Sequence, residues 1–407
     1  MTIDPKSANH LFNSFAPNSC DFCGQCLSEC PVMKITPSKG KEMIHQMLDG
    51  EYVFELLENC QSCLACSVAC PQHNNPAMLI LDNFAKRYRE AGHSKRSLHF
   101  HPHQPNNFRA NALRFLPPDE RELVASMNSV EPCEEFLYPG CNLTAAAYLL
   151  MNPLLEGQQF RGGMNYCCGE TLFRMGMEDE LRAVASHLSS WIEKLGAKRM
   201  KILCTAGANI FANVLPQYGF TPKLEIIPML PELLSDVVSG RRVIKNPFEW
   251  KVTVQDSCYA KVLGDEYLDV PRKILESCGC RIEEMSHSRC SNLCCIGAGF
   301  GPESAFNPSR IIQGAVRILR QANATGAQAI ITYCGGCTIM LSAMKWLYPT
   351  APPVYHILQI LGWACGYSVP DRNIGRGFVH LYGVIRHQFP LLANRKRIHL
   401  APFNFID

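Results

Sequence analysis

The sequence of 407 residues lacks several features that would assign it to common functional classes. It contains no run of about 18 apolar residues, so a direct membrane span is not expected and any membrane contact would come through a partner. The stretch from Met1 to Leu11 has no basic region followed by an apolar run, so we expect no secretory signal and a cytoplasmic location. The net charge of +3 is too small to favour nucleic acid as a partner.

A nucleotide-binding fingerprint is also missing. The glycines at Gly297, Gly299 and Gly301 follow a pair of cysteines rather than a clean strand, so they do not form a convincing phosphate loop. We therefore expect any flavin or NAD to belong to a partner. These glycines could instead let the backbone approach inorganic sulfide closely.

Cysteine, by contrast, is abundant: the chain has 22, most of them inside short motifs. In the reducing compartment expected here, metal binding is a better explanation for such motifs than disulfides. The length and the 47% hydrophobic content suit a globular protein of two or three domains.

Composition and pattern divide the chain into four segments. Residues 1–100 are dense in cysteine and methionine and predict a helical domain, and residues 101–130 are rich in proline and asparagine, as in an extended connector. Residues 131–245 and 246–407 alternate short β-branched runs with amphipathic helices, a pattern typical of α/β units. The predicted fold class is a multidomain α+β and α/β protein: a helical N-terminal domain followed by two α/β units.

The last two segments are an internal duplication. In each, a strand-like run ends in a cysteine (Cys141 and Cys258), a cysteine pair follows (Cys167-Cys168 and Cys294-Cys295), and a helix precedes a second strand that ends in cysteine (Cys204 and Cys334). The periodicity predicts the two helices over Glu178–Leu195 and Arg310–Ala322. We call these segments the first and second repeats.

The N-terminal segment contains the bacterial ferredoxin motif twice. Cys20, Cys23, Cys26 and Cys30 precede Pro31, and Cys60, Cys63, Cys66 and Cys70 precede Pro71 with the same spacing. In two-cluster ferredoxins the fourth cysteine of each motif binds the other cluster. We therefore assign Cys20, Cys23, Cys26 and Cys70 to one [4Fe–4S] cluster, and Cys60, Cys63, Cys66 and Cys30 to the other. Structural zinc sites are the alternative.

The second repeat places five cysteines at strand ends or in glycine-containing loops: Cys258, Cys294, Cys295, Cys334 and Cys337. Adjacent cysteines point in different directions, so the pair can bind one centre only if that centre is larger than a single ion. This favours a cluster over zinc. Cys334-Gly-Gly-Cys337 also fits a thioredoxin-like redox dithiol, although the paired cysteines and Cys258 argue against that interpretation.

The first repeat has only four of these ligands: Cys141, Cys167, Cys168 and Cys204. Thr205-Ala206-Gly207 follows, so Gly207 occupies the position of the last cysteine. The first repeat could bind a cluster through four ligands, a zinc ion, or no metal.

From about Asn18 to about Gly362 the sequence resembles the heterodisulfide reductase iron–sulfur proteins in which a two-cluster ferredoxin part is fused to a catalytic part made of cysteine-rich (CCG) domains. The N-terminal segment also resembles the two-cluster domain of the iron–sulfur protein of succinate dehydrogenase. Related arrangements are the iron–sulfur subunits of glycolate oxidase and anaerobic glycerol-3-phosphate dehydrogenase. The second repeat has Ile296 where the family usually has glycine, and the first repeat lacks its last cysteine.

The resemblance implies an electron-transfer subunit of an oxidoreductase complex, active together with flavin-containing and other iron–sulfur subunits. It also implies an unusual noncubane [4Fe–4S] cluster, where disulfide cleavage occurs, on Cys258, Cys294, Cys295, Cys334 and Cys337. The alternative is a pure electron relay serving a flavin dehydrogenase, quinone or an electron-bifurcating acyl-CoA reductase-type assembly.

Some residues fit no motif. Cys133, Cys278, Cys280, Cys290 and Cys365 are expected to be ordinary thiols. His99, His101 and His103 alternate and could bind a metal, but a solvated linker is the favoured interpretation. The basic tail, Arg372–Arg397, could dock a partner or form a charged surface.

Overall fold

The computed structural model describes residues 3–105, 107–296, 299–304, 306–400 and 405. The helices in this part of the chain are α1 (Gln25–Ser28), α2 (Pro37–Leu48), α3 (Phe54–Asn59), α4 (Ala65–Val68), α5 (Pro76–Ala91), α6 (Phe108–Arg114), α7 (Pro118–Ser126), α8 (Cys141–Thr144), α9 (Glu170–Arg174), α10 (Glu178–Leu195), α11 (Thr205–Asn209), α12 (Met229–Val238), α13 (Gly264–Ser277), α14 (Pro308–Ala324), α15 (Gly335–Met344), α16 (Ile357–Ala364), α17 (Asn373–Gly383) and α18 (Phe389–Ala393). None of these described helices is both long enough and apolar enough to cross a bilayer.

The strands are β1 (His93–Ser94), β2 (Glu135–Tyr138), β3 (Arg199–Ile202), β4 (Glu225–Pro228), β5 (Lys251–Gln255), β6 (Arg281–Ile282), β7 (Ala329–Thr332), β8 (Val354–His356) and β9 (Arg397–Ile398). Two parallel sheets have the orders β2-β3-β4 and β6-β5-β7-β8, and β1 pairs with β9. The prediction of mixed helices and parallel sheets is therefore confirmed. The division of the chain into domains stays a prediction.

The N-terminal region is helical around its cysteine motifs. Helix α2 begins after Thr36, whose hydroxyl accepts a hydrogen bond from the backbone N–H of Lys39 at 3.3 Å, with a proline in the first turn. Its apolar face, including Met43 and Ile44, is buried in the core. Helices α2 and α3 lie between the two motifs, within the residues 1–100 that the sequence predicts to be helical.

The two long helices of the repeats lie where the periodicity predicts them. Helix α10 has the predicted bounds, with three acidic residues in its first turn and Gly196 in the left-handed conformation just after its end. Helix α14 extends the predicted Arg310–Ala322 slightly at both ends and is capped by Asn307, whose side chain accepts a hydrogen bond from the backbone N–H of Ser309. Both helices bury one apolar face in the core.

The expected solvated linker is wrong. His99 and His101 are buried, and helices α6 and α7 occupy most of the segment that follows. Glu120 of α7 is fully buried and pairs with Arg376 of α17. The Nη2 atom of Arg376 lies 2.6 Å from one carboxylate oxygen of Glu120 and 2.7 Å from the other. The segment packs inside the protein because its apolar residues and this ion pair join it to the C-terminal helices.

The loop after Cys294-Cys295 packs directly on the N-terminal helices. A side chain at Gly301 would come within 2.2 Å of the Leu57 carbonyl oxygen, so this position requires glycine. The Tyr88 hydroxyl donates to the Phe300 carbonyl oxygen at 2.8 Å, and Arg87 pairs with Glu303 at 2.6 Å. Gly301 thus allows close contact with α3, a different role from the predicted approach to sulfide, and Gly297 lies outside the described residues.

Candidate metal centres

The two ferredoxin-type motifs have the same backbone conformation. The residue before the second cysteine is left-handed in each (Phe22, φ 56°; Ser62, φ 48°), as is the residue after it (Gly24, φ 75°; Leu64, φ 64°). A non-glycine residue in this conformation costs about 1–2 kcal/mol, and such strain concentrates at functional sites. The repeated conformation bends each motif around the space in front of its cysteines.

Cysteines of the two motifs lie near one another. Burial raises the pKa of Cys26 to about 12, and the proximity of Cys70 adds to this shift. Burial also raises the pKa of Cys30, with a further contribution from Cys63. The pKa of Cys66 lies well above its ordinary value, first because of burial and then because of nearby cysteines that include Cys60 and Cys30. Cys70 is thus near Cys26, and Cys30 is near Cys63 and Cys66, while Cys26 is also near Cys66; the assignment of cysteines to the two clusters stays a prediction.

A small cavity of about 30 Å³ tests whether these residues fit a cluster. Its lining combines four cysteines, Cys30, Cys60, Cys63 and Cys66, with apolar side chains such as Leu27, Met33, Ile80 and Leu81. Backbone N–H groups already point at two of the sulfur atoms: Ser62 donates to Cys60 Sγ at 3.3 Å and Met33 to Cys30 Sγ at 3.4 Å. Four thiols, apolar walls and N–H···S bonds fit a [4Fe–4S] cluster, which would supply one-electron steps there.

Parallel strands bring the five cysteines of the second repeat to one edge of a sheet. Cys258 lies just beyond β5, Cys334 lies between β7 and α15, and Cys337 is in the first turn of α15. Cys337 Sγ is 3.4 Å from Cys295 Sγ, and Cys294 hydrogen-bonds with the thiols of Cys258 and Cys295. The structure therefore brings all five predicted residues together.

Two of these thiols, Cys294 and Cys334, differ electrostatically from the other three, because the pKa of each lies below its ordinary value. Hydrogen bonds from the Cys258 and Cys295 thiols, together with the charge of Arg174, hold the pKa of Cys294 well below its ordinary value. The hydrogen bond to Cys294 raises the pKa of Cys258, and burial adds to that shift. The site therefore favours a thiolate at Cys294, the form that binds iron.

Arg174, from helix α9 of the first repeat, is a functional candidate that sequence reasoning missed. Its guanidinium is buried and donates to Cys294 Sγ at 3.3 Å and to Glu170 at 3.2 Å, and it stacks over the Phe300 ring at 3.8 Å. It also donates to the Gln61 carbonyl oxygen. The only sequence signal for this residue is its position shortly after Cys167-Cys168-Gly169.

Gln61 joins the second ferredoxin-type motif to the site of the second repeat. It lies between Cys60 and Cys63, and its Oε1 accepts a hydrogen bond from the backbone N–H of Cys294 at 3.2 Å. The neighbouring Ser62 hydroxyl donates to the Arg174 carbonyl oxygen at 3.0 Å. The second ferredoxin-type motif thus contacts both Cys294 and the helix of Arg174 directly.

The first repeat also brings its four cysteines together. Cys141 Sγ lies 3.3 Å from Cys167 Sγ. A hydrogen bond with Cys167 lowers the pKa of Cys168, but burial and the nearby Cys204 and Cys141 together raise it above its ordinary value. Gly207 donates its backbone N–H to Cys204 Sγ at 3.4 Å. Within the described ranges, no group of three or more Cys, His, Asp or Glu side chains is arranged to hold a single metal ion.

Five cysteines lie outside the three sets of motif cysteines. Cys278, Cys280 and Cys365 are buried, and Cys133 and Cys290 are half-buried. Burial lowers the pKa of His99 and of His101 to about 3, so both are neutral at pH 7.

Comparison with known proteins agrees with this arrangement. Residues 252–342 match the cysteine-rich domain family CCG. The chain is 24% identical over 246 residues to the EtfAB:quinone oxidoreductase of Syntrophomonas wolfei, an alignment covering 56% of the chain and 32% of that protein. It is 30% identical over 179 residues to the probable iron-sulfur-binding oxidoreductase FadF of Bacillus subtilis, covering 42% of the chain and 24% of that protein.

The chain therefore spans a third or less of the length of these curated relatives. The CCG match covers the cysteines of the second repeat, and both relatives are oxidoreductases by name. These similarities support the resemblance drawn from the motifs: residues 252–342 form a cysteine-rich CCG domain, and the chain is similar to two oxidoreductases, one of them named as probably iron-sulfur-binding.

Proposed function

We propose that this chain is an iron–sulfur electron-transfer subunit of a heterodisulfide reductase-like oxidoreductase complex. Two [4Fe–4S] clusters would be held by the crossed cysteine sets of the N-terminal region. A third, noncubane cluster would be held by the five cysteines of the second repeat. Flavin-containing and other iron–sulfur subunits would be the partners that deliver electrons to the N-terminal region.

The contact between Gln61 and Cys294 is the observation that supports this order of transfer most strongly. It places the second ferredoxin-type motif against the cysteine pair of the second repeat, with an N–H···O distance of 3.2 Å. Arg174 bonds both sides of this contact. Electrons that reach the N-terminal clusters would therefore have a short route to the second repeat.

The chemistry proposed at the second repeat is reductive cleavage of a disulfide. Two electrons and two protons convert one S–S bond into two thiols. The buried guanidinium of Arg174 would stabilise the negative charge that develops on sulfur as that bond breaks. A disulfide is proposed as the substrate because the sequence resembles the heterodisulfide reductase iron–sulfur proteins.

The first test is the metal content of the anaerobically purified chain. We expect about 12 irons and about as much acid-labile sulfide per chain, since each cluster holds four irons. About 8 irons would leave only the ferredoxin-type clusters and would overturn the catalytic part of the proposal. Zinc without iron, measured on the same sample, would overturn it entirely and favour structural zinc sites.

A pure relay is the second candidate, favoured by the glycine at position 207. The first repeat lacks one of the five cysteines. The sequence therefore does not provide two matching clusters that could lie on either side of a disulfide. The relative from Syntrophomonas wolfei is named for quinone as its acceptor. A redox titration with a thiol or disulfide substrate distinguishes the candidates: only the catalytic protein should give a new paramagnetic signal on oxidation.

A further inference from the structure

The C-terminal helical stretch, residues 373–393, has its apolar face turned to the outside. Ile374, Phe378, Tyr382, Ile385 and Phe389 recur at helical spacing and are 46–64% exposed. The inner face of the same stretch is polar or small, and includes Asn373, Arg376, Gly377 and His380. Gly377 lies against the backbone of Ser342 in α15, where a side chain would come within 2.4 Å. Ordinary surface helices have the reverse arrangement.

Neighbouring elements extend this apolar surface. The Trp346 ring lies 5.0 Å from the Phe378 ring, which lies 6.2 Å from that of Tyr382. Phe115, from the loop between α6 and α7, is 6.5 Å from Tyr382. We call these exposed side chains the outer aromatic face; they are Phe115, Trp346, Leu347, Ile374, Phe378, Tyr382, Ile385 and Phe389. A contiguous exposed patch of this kind indicates an interaction surface.

After Asp371, the C-terminal segment that carries most of the outer aromatic face has charges of one sign. No aspartate or glutamate occurs from Arg372 to Ile406. Arg372 and Arg376 pair with Glu120, and Arg397 pairs with Glu303. Arg386, Arg395 and Lys396 are exposed and have no ion-pair partner among the described residues. The segment therefore presents positive charge beside its aromatic residues.

We propose that the outer aromatic face binds the surface of a bilayer that contains anionic lipid. Aromatic and aliphatic side chains on one face of a helix, with arginine and lysine beside them, are typical of helices that lie in the membrane interface. The uncompensated cations supply the attraction to anionic headgroups. Contact with a membrane is then direct, whereas the sequence predicts contact only through a partner.

An apolar cavity of about 160 Å³ lies behind the same helical stretch. His380, Leu381 and Val384 line it on one side, and Ile296 and Gly336, which adjoin cysteines of the second repeat, also line it. Binding to a bilayer would bring this cavity close to lipid. The binding proposal does not depend on the proposed electron-transfer function.

The test is flotation of the full chain, purified anaerobically with its metal, with lipid vesicles. Vesicles of phosphatidylcholine mixed with phosphatidylglycerol should bind the protein, and vesicles of phosphatidylcholine alone should bind it much more weakly. Raising the salt concentration should weaken the binding because charge attraction is screened.

Two sets of variants locate the binding surface. The pair Phe378→Ser and Ile385→Ser should lower the affinity at least about tenfold by removing buried apolar area. The triple variant Arg386→Gln, Arg395→Gln and Lys396→Gln should lower it by about a hundredfold on mixed vesicles. Val238→Ser and Val243→Ser replace exposed apolar residues outside this surface and serve as the matched control.

Iron content and melting temperature show whether each variant is folded. Binding that the Phe378 and Ile385 substitutions leave unchanged would overturn the proposal, as would absence of binding to mixed vesicles. A stable dimer or a complex with another protein, formed through this face with no vesicle binding, would assign the surface to a protein partner and would also overturn it.

Discussion

The two repeats share a scaffold but differ in what it holds. In both, cysteines follow the ends of parallel strands, and a cysteine pair lies in the intervening chain. The second repeat gathers five cysteines, whereas the first has Gly207 at the last position. The first repeat instead sends Arg174 into the site of the second. The second repeat thus carries all five candidate ligands, whereas the first contributes an arginine that contacts Cys294.

Packing beside the cysteines differs as well. Tyr138, three residues before Cys141, is fully buried. Its pKa lies well above the ordinary value, first because of burial and then because all four cysteines of the first repeat are nearby. The equivalent residue before Cys258 is Gln255, which donates to the carbonyl oxygens of Asp256 and Leu293. The tyrosine ring fills space among the first set of cysteines. We therefore expect the repeats to differ in metal content.

The largest expected effect comes from removing one equivalent cysteine in each repeat. Cys294→Ser should lower the iron content by about four atoms per chain, the content of one cluster. Cys167→Ser, its counterpart in the first repeat, should leave the iron content unchanged. Iron and sulfide analysis measures both, and the spectrum of the N-terminal clusters serves as the control for folding. Equal losses from the two variants would show that the repeats bind metal alike.

Arg174→Met tests the link that runs from the first repeat to the second. It removes a charge-assisted hydrogen bond to Cys294, worth about 1.5–3 kcal/mol. Loss of a nearby positive charge disfavours adding an electron, so the midpoint potential of the second-repeat centre should fall by about 60–130 mV for a one-electron couple. Redox titration followed by paramagnetic resonance measures the shift.

Two further variants control this experiment. Arg182→Met removes an exposed arginine whose ion pairs with described residues are to Glu178 and Asp179, and it should leave the potential unchanged. Arg174→Lys keeps the charge but loses the planar fork, so its potential should lie between those of the wild type and Arg174→Met. An unchanged potential in Arg174→Met would mean that the arginine has only a packing role.

Acid should destabilise the second repeat through His356, where the first repeat has Pro228. Burial lowers the pKa of His356 to about 3, and its Nδ1 accepts a hydrogen bond from the backbone N–H of Leu358 at 3.3 Å. The unfolded chain has a histidine pKa of about 6.5, so this stability is fully present above that pH and is lost as the pH falls towards 3. The loss for this one residue should reach about 2 kcal/mol between pH 7 and pH 5.

Unfolding by urea at several pH values measures this loss. His356→Asn keeps a capping side chain at the start of α16 but removes the titrating group. The slope of the free energy of unfolding against pH gives the number of protons taken up on unfolding. His356→Asn should therefore lower this number by about one. An unchanged dependence would mean that His356 is not kept neutral by burial.

The features that could be predicted from the sequence are those set by residues close together in the chain. The ferredoxin-type motifs and helix α10 follow from contacts between residues near in the chain, such as the acidic first turn of α10 and Gly196 after its end. Arg174 could not be predicted, because it reaches Gln61 and Cys294 only after three distant segments have packed together. The burial of His101 was missed for the same reason: its proline-rich segment is locally typical of a linker.

The smallest expected effect comes from restoring the missing thiol. A β-carbon at Gly207 would lie 3.0 Å from Ile202 Cδ1, the flexible end of a side chain, and 3.5 Å from the Tyr138 ring. The slight crowding should destabilise the folded chain, whereas replacing a glycine within a helix should stabilise it. Because these effects oppose each other, Gly207→Cys should change the free energy of unfolding by less than about 1 kcal/mol. Because Tyr138 still fills the space, the iron content should stay the same. A gain of about four irons would show instead that one thiol is all that separates the two repeats.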